Sequence, residues 1–253
     1  MTLTVGSLFS GIGGLDLGLE QAGMKTVWQV EYDDWARGKL DENFPHTEKF
    51  KDVRDVGKHN LRAVDLICGG FPCQDVSGSN IGGVGLDGDK SGLWVEYIRI
   101  LRELRPKYTL IENVPNLVNR GFERVITDLA ASGFDAEWQT LRASSVGLPH
   151  SRKRLFIIAF SQRLGLLEMP VFQRKHTQKL TGWTPDSTVS FVEINGHRYP
   201  EIPAHLRVDN GLSFELSEIE AAIKGYGNAV CPPVAKWIGE RIIEFDAKVT
   251  EVK

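Results

Sequence analysis

An apolar run, Leu3 to Phe9, breaks at Ser10-Gly11-Ile12-Gly13-Gly14 and gives way to Leu15, Leu17, Leu19 and Ala22 at helical spacing, stopped by Gly23. That is strand, glycine-rich turn and helix within little more than twenty positions. The same order recurs downstream. Thr26 to Val30 reads as a strand ending in Glu31, and Asp33 or Asp34 can cap a helix running towards Asn43. Val64 to Cys68 reads as a buried strand followed by Gly69-Gly70-Phe71-Pro72-Cys73. A helix over Leu93–Leu104 leads to a strand over Tyr108–Ile111 that ends in Glu112-Asn113. A helix over Phe122–Ala131 is closed by Gly133, and Phe134–Leu141 and Arg154–Phe160 read as the last strands. Strands alternating with helices predict an α/β fold with a parallel, doubly wound sheet. The 253 residues suffice for one large α/β domain, alone or with a small appendage.

In such sheets ligands bind at the carboxyl edge of the strands. Glu31, Cys73 and Glu112 each fall at or just past a strand end, so three chemically useful side chains are expected on one edge. The first turn lacks the third glycine of the dinucleotide fingerprint, because Asp16 stands there. This disfavours a pyrophosphate. With Glu31 placed to bind ribose hydroxyls, it points to an adenosine-containing ligand; a plain strand–helix turn beside a surface glutamate is the competing reading. Cys73 follows a proline at the start of a loop, where a thiolate can be exposed and stabilised. Cys68, inside an apolar strand, and Cys231, near a helix start, read as packed residues. Glu112 beside a cysteine on a neighbouring strand end can supply an acid. The cysteines, with His46 and His59, show no metal-ligand spacing, so no metal is expected.

Gln74 to Ser91 is a long Gly, Ser and Asp-rich loop of the kind that usually has a function. Residues 161–206 contain Pro170, Pro185, Pro200 and Pro203 without a clear period and read as a small irregular insert. Leu216 to Lys224 reads as a short helix, Gly225 to Asn228 as a turn, and Val230 to Phe245 as a closing helix with Pro232 and Pro233 in its first turn. The net charge of −3 hides an asymmetry: residues 151–207 hold nine Lys/Arg against four Asp/Glu, which leaves the rest of the chain at −8. A basic segment on an acidic body fits a phosphate-facing surface, and chance clustering on a solvated face fits the charge equally well. Three scattered cysteines, no secretory signal and no apolar run long enough for a bilayer lead to the expectation of a cytoplasmic protein.

At Gly70-Phe71-Pro72-Cys73-Gln74 the chain resembles the DNA cytosine-5 methyltransferase family, in the form of its compact bacterial or phage-like members. Phe9 to Gly14 resembles the family's cofactor loop, Glu31 its ribose-binding acid, and Asp52-Val53, more loosely, its adenine-contacting pair. Ser91-Gly92-Leu93-Trp94 resembles the next cofactor segment and Glu112-Asn113-Val114 the catalytic glutamate motif. Gly147 to Arg154 resembles the basic motif, with His150 where glutamine is usual, and Gly227-Asn228-Ala229-Val230 the last motif. Arg207 to Leu212 resembles a degenerate pre-terminal segment, without a clear copy of the longer motif expected there.

The resemblance implies a Rossmann-like methyltransferase sheet, formed by residues 1–160 and 217–253, with a small irregular target-recognition region at 161–216. It implies S-adenosylmethionine as cofactor, bound by Phe9, Gly11, Gly13, Gly14, Glu31, Asp52, Val53, Gly70, Pro72, Leu93, Asn228 and Val230. Cys73, Glu112, Arg152 and Arg154 would carry catalysis on a cytosine flipped out of duplex DNA, with the Gln74–Lys90 loop closing over it. Arg163, Arg174, Lys175, Lys179 and Arg198 are candidate contacts to DNA. A monomer is expected, with a cognate restriction endonuclease as a partner. A tRNA cytosine-5 methyltransferase, a catalytically silent DNA-binding relative and an unrelated nucleotide-binding α/β enzyme are the alternatives.

Overall fold

The computed structural model describes residues 2–72, 93–119, 121–148, 150–165, 171–172, 191–194, 197–200, 225 and 228–251. Seven strands form one sheet: β1 (Thr4–Leu8), β2 (Lys25–Val30), β3 (Glu48–Phe50), β4 (Leu66–Gly69), β5 (Tyr108–Asn113), β6 (Phe134–Arg142) and β7 (Lys153–Ser161). Their spatial order is β3-β2-β1-β4-β5-β7-β6. The order reverses beside β1, and β1 to β5 run parallel. All four residues of β4 and all six of β5 are buried, as expected of strands covered on both faces, and in β5 that burial includes the polar Thr109, Glu112 and Asn113. β6, at the sheet edge, alternates between buried and exposed positions instead.

The main helices among the described residues are α1 (Gly14–Gln21), α2 (Asp34–Asn43), α3 (Leu93–Leu104), α4 (Phe122–Ala131) and α5 (Pro232–Glu251). Period-two alternation divides the strands between two cores. Ile67 and Ile111 point into one with Trp94, Tyr97 and Leu101 of α3 and Leu129 of α4. Leu66, Cys68 and Leu110 point into the other with Leu19 of α1 and Ala235, Ile238 and Ile242 of α5. The closing helix thus returns to the N-terminal unit and packs on α1. Asp33 is the residue that caps α2, its carboxylate accepting the Ala36 N–H at 3.0 Å.

The doubly wound α/β expectation holds, with four departures. The sheet is not all parallel, since β7 is antiparallel to both β5 and β6. Residues 143–152, too few for a helical crossover, join β6 to β7, so the chain must turn back on itself. The edge strand β3 was not anticipated: it has three residues, two of them charged, and pairs only with β2. Gly225 and Asn228 are helical rather than in a turn, and the Ala229 N–H donates to the Gly225 carbonyl at 3.0 Å. Within the segment expected to be irregular, β8 (Phe191–Ile194) and β9 (His197–Pro200) form an antiparallel hairpin. Val171 and Phe172, from the same segment, are buried in the second core, where Phe172 stacks on Trp237 of α5. The helix expected over Leu216–Lys224 lies outside the described residues.

Candidate active site

The turn after β1 carries its strain at Phe9, whose φ of 54° is rare for a residue with a side chain. That backbone lays the Phe9 ring beside Tyr97, with centroids 6.4 Å apart. Gly11 (φ 56°) and Gly13 (φ 86°, the N-cap of α1) continue the left-handed path. Gly14 begins α1 and is needed for a different reason: a Cβ there would lie 2.3 Å from the Val230 carbonyl oxygen.

Glu31, just past β2, holds this turn. Its Oε2 accepts the Gly11 N–H at 2.7 Å and its Oε1 accepts the Asp33 N–H at 2.8 Å. Each oxygen keeps acceptor capacity for a ligand hydroxyl. Asp16, in the first turn of α1, is fully buried and accepts hydrogen bonds from Ser7 Oγ (3.0 Å) and Gln29 Nε2 (2.9 Å). Burial pushes its carboxyl up to about 6 against those bonds. An acid at a helix N-terminus occupies the field that would otherwise attract a pyrophosphate.

Beyond β3, Asp52 caps a one-turn 3-10 helix over Val53–Asp55 and accepts from Arg54 Nε at 2.9 Å. At the end of β4, Gly70-Phe71-Pro72 runs beside β5. A Cβ on Gly70 would lie 2.6 Å from Glu112 Oε2, so only glycine allows that approach. Asn113 Nδ2 donates to the Phe71 carbonyl at 3.3 Å, while Asn113 Oδ1 accepts the Val114 N–H at 2.8 Å. Asn113 therefore sets the segment leading to position 73. The sequence motif contained it, but its amide has no chemistry of its own to single it out. Cys73 and the Gln74–Lys90 loop lie outside the described residues.

Glu112, the penultimate residue of β5, is 8% exposed. Arg154 of β7 places Nε 2.8 Å from its Oε1. Burial raises the Glu112 carboxyl to about 7, with Arg154 and Arg152 opposing the rise. Arg152 lies just before β7 with its Nε and Nη2 buried and without a hydrogen-bond partner among the described residues. Burial and the like charge of Arg154 depress its pKa. His150, in place of the usual glutamine, has Nε2 3.8 Å from Cys231 Sγ. Burial raises the Cys68 thiol, in line with a packed role.

One cleft of about 1200 Å³ gathers most of these groups. Phe9, Gly11, Gly14 and Glu31 line it from the first two strands, and Asp52 and Val53 from beyond β3. Gly70, Pro72, Leu93, Glu112 and Arg154 line it from the middle of the sheet, and Asn228 and Val230 from the segment before α5. Gly13 and Arg152 do not line it; Gly13 acts as the cap behind the wall. Tyr32, Asp33, Trp35 and Arg54 also line the cleft and were not among the expected residues. Their position directly beside Glu31 and Asp52 was the only available signal. Of the candidate DNA contacts, Arg163 lies in a 3-10 turn after β7 and Arg198 in β9, while Arg174, Lys175 and Lys179 lie outside the described residues.

No helix among the described residues is long and apolar enough to cross a membrane. The family model for C-5 cytosine-specific DNA methylases matches residues 3–207. The type II methyltransferase M2.BsuMI of Bacillus subtilis (strain 168) is 35% identical over 187 residues, covering 70% of this chain and 46% of that protein. M.Bsp6I of Bacillus sp. (strain RFL6) is 34% identical, covering 62% of this chain and 52% of the relative. The chain therefore spans about half the length of the relatives it matches. Among solved structures, a prophage-encoded E. coli chain assigned as a DNA modification methyltransferase superposes with a TM-score of 0.56 at 29% identity, over 66% of this chain and 49% of that one. A mutant of Spodoptera frugiperda DNMT2 gives 0.55 at 25% identity, over 66% of this chain and 52% of that one. A seven-stranded sheet with its carboxylates on one edge, and a family match over most of its length, make this chain a member of the C-5 cytosine-specific DNA methylase family.

Proposed function

We propose that the protein transfers a methyl group from S-adenosylmethionine to C5 of a cytosine flipped out of duplex DNA, through a covalent bond between Cys73 and C6. The observation that carries this reading is the shared cleft: the buried Glu112–Arg154 pair opens into the same space as Glu31 and Asp52. The residues fit the cofactor. Glu31 has acceptor capacity left for a ribose diol, and the buried acid at Asp16, in the first turn of α1, disfavours a pyrophosphate there. Phe9, Gly11, Gly13, Gly14, Glu31, Asp52, Val53, Gly70, Pro72, Leu93, Asn228 and Val230 would hold it. Bound there, its sulfonium supplies an electrophilic methyl group.

Cytosine C5 is a weak nucleophile. The Cys73 thiolate adds to C6, the ring becomes an enamine, and C5 gains the electron density to accept the methyl. Glu112, protonated, donates to N3 and accepts from the exocyclic amine; its raised pKa suits this acid role. Arg154, already paired with Glu112, and Arg152 beside it stabilise the O2 edge of the base. Loss of the C5 proton to a base then restores the ring and expels Cys73.

In this reading residues 1–160 and 217–253 are the catalytic body, and 161–216 read the DNA, with Val171 and Phe172 as that region's foothold in the core. The enzyme acts as a cytoplasmic monomer on double-stranded DNA and pairs with a cognate restriction endonuclease. The test is methyl transfer from labelled S-adenosylmethionine to mixed-sequence duplex DNA and to tRNA, with Cys73→Ala in parallel. Label at cytosine C5 of DNA, lost in the variant, is expected. Label in tRNA alone would move the substrate to RNA, and cofactor binding without label in either would leave a DNA-binding relative.

A further inference from the structure

Asp52 and Val53 reach the cleft from a stretch with little regular structure of its own. Between β3 and β4 the only regular element is the single 3-10 turn over Val53–Asp55. Val53 and Val56 bury their side chains in the core beneath, which fixes the depth of this stretch. A single side chain collects the carbonyls of both.

Arg99, on the outer face of α3, donates from Nη2 to the Val53 carbonyl at 3.0 Å and to the Val56 carbonyl at 2.8 Å. Its fork is held from two sides on its own helix. Nε donates to Glu96 at 2.7 Å and Nη1 to Glu103 at 2.9 Å, three residues before and four after. Glu103 then uses its other oxygen to accept the Lys58 N–H at 2.9 Å. A side chain at Gly57 would place its Cβ 2.3 Å from that oxygen, so the loop is shaped to the clamp. An exposed ion pair contributes little to stability by itself. Here the two carboxylates orient a guanidinium whose other donors bind backbone, and α3 begins at Leu93 on the cleft wall.

We infer that Arg99 is a positioning residue for cofactor binding, acting through the Val53 and Val56 carbonyls to hold Asp52 and Val53 against the bound ligand. The inference rests on the reading of the cleft as the S-adenosylmethionine site. A lysine cannot replace the planar fork, because one ammonium cannot reach two carbonyls and two carboxylates in that fixed geometry.

The test compares wild type, Arg99→Met, Arg99→Lys and, as a control on the same helix, Arg102→Met. Methyl transfer gives kcat and the KM for each substrate, and calorimetry gives the Kd for S-adenosylhomocysteine. Arg99→Met is expected to raise the cofactor KM and the Kd about tenfold, the loss of a charged hydrogen-bond set. The kcat and the KM for DNA should stay within a factor of two. Arg99→Lys should fall between, and Arg102→Met should match wild type. A Kd within twofold of wild type in Arg99→Met, or equal rises in both KM values, would overturn the inference. If Arg99→Met has no cooperative melt, Glu103→Gln decides: it keeps an acceptor for Lys58 but loses the ion pair, and an unchanged Kd would sink the clamp. A wild type that binds neither cofactor nor product would remove the cofactor reading itself, and the clamp with it.

Discussion

Arg154 reaches Glu112 from the antiparallel strand, Nε to Oε1 at 2.8 Å, and yet the Glu112 carboxyl sits near 7. Burial outweighs the adjacent cation, as expected when a carboxylate is taken out of water. In the proposed mechanism this is useful, because the acid form is available at neutral pH.

Glu112→Gln is therefore expected to lower the methyl-transfer rate by about 10²- to 10⁴-fold, the usual range for a general acid. The wild-type kcat/KM should fall as pH rises through 7, and the residual activity of the variant should lack that limb. Stability follows the same sign. A folded-state pKa raised from 4.5 contributes stability that is fully present below 4.5 and lost as pH rises through about 7. Urea unfolding at pH 5 and pH 8 should show the variant gaining on wild type at the higher pH; parallel curves would refute the assignment.

Asp16 offers a second, independent titration. Asp16→Asn keeps the shape, and Gln29 can turn its buried, unpartnered Oε1 towards the new amide. A change within about 1 kcal/mol is expected, whereas Asp16→Ala strands two buried donors at about 1–3 kcal/mol each. Because the carboxyl is raised to about 6, its contribution is present below 3.8 and lost as pH rises through 6. The asparagine variant should gain relative to wild type over that interval in denaturant melts.

Gly14→Ala forces a methyl group into the Val230 carbonyl. Overpacking of this kind costs about 1–3 kcal/mol. The clash lies where α1 meets the segment carrying Asn228 and Val230, so thermal melts with and without S-adenosylhomocysteine should show a lower Tm and a smaller ligand-induced rise. A full ligand-induced rise would mean that the contact does not shape the cofactor site.

Glu137 of β6 accepts the Val171 N–H at 2.8 Å and the Phe172 N–H at 3.2 Å, and burial raises its pKa in spite of these bonds. Glu137→Ala should leave both amides unpaired and speed their hydrogen exchange by about tenfold or more, since a buried bond of about 1.5–3 kcal/mol is lost. Exchange at wild-type rates would show that Phe172 and Trp237 hold the pair without help.

The elements around the cleft were legible because β1, β4 and β5 are buried on both faces and end in recognisable polar groups. Helices α3 and α4 start and stop where periodicity and Gly133 place them. The reversal of β7 was legible only in the short spacing between β6 and β7, which the apolar pattern of Leu155 to Phe160 masks. The hairpin of β8 and β9 had a signal: Asn195-Gly196 separates the two runs, a strong turn dipeptide. Proline-rich surroundings obscured it. The electrostatics were not legible. Nothing in the motif around Glu112 predicts that burial defeats Arg154, since burial is a property of the whole sheet.

The contact between Gly14 and Val230 joins the first helix to a segment far along the chain. During synthesis the strands that carry Glu31 and Glu112 leave the ribosome well before the residues that complete the cleft. Until α5 docks on α1, the nascent sheet has a half-built pocket with an exposed apolar face. Affinity for the cofactor should therefore arrive abruptly, only once the Asn228–Val230 segment has been made and α5 has docked, as a signature that the cleft has assembled.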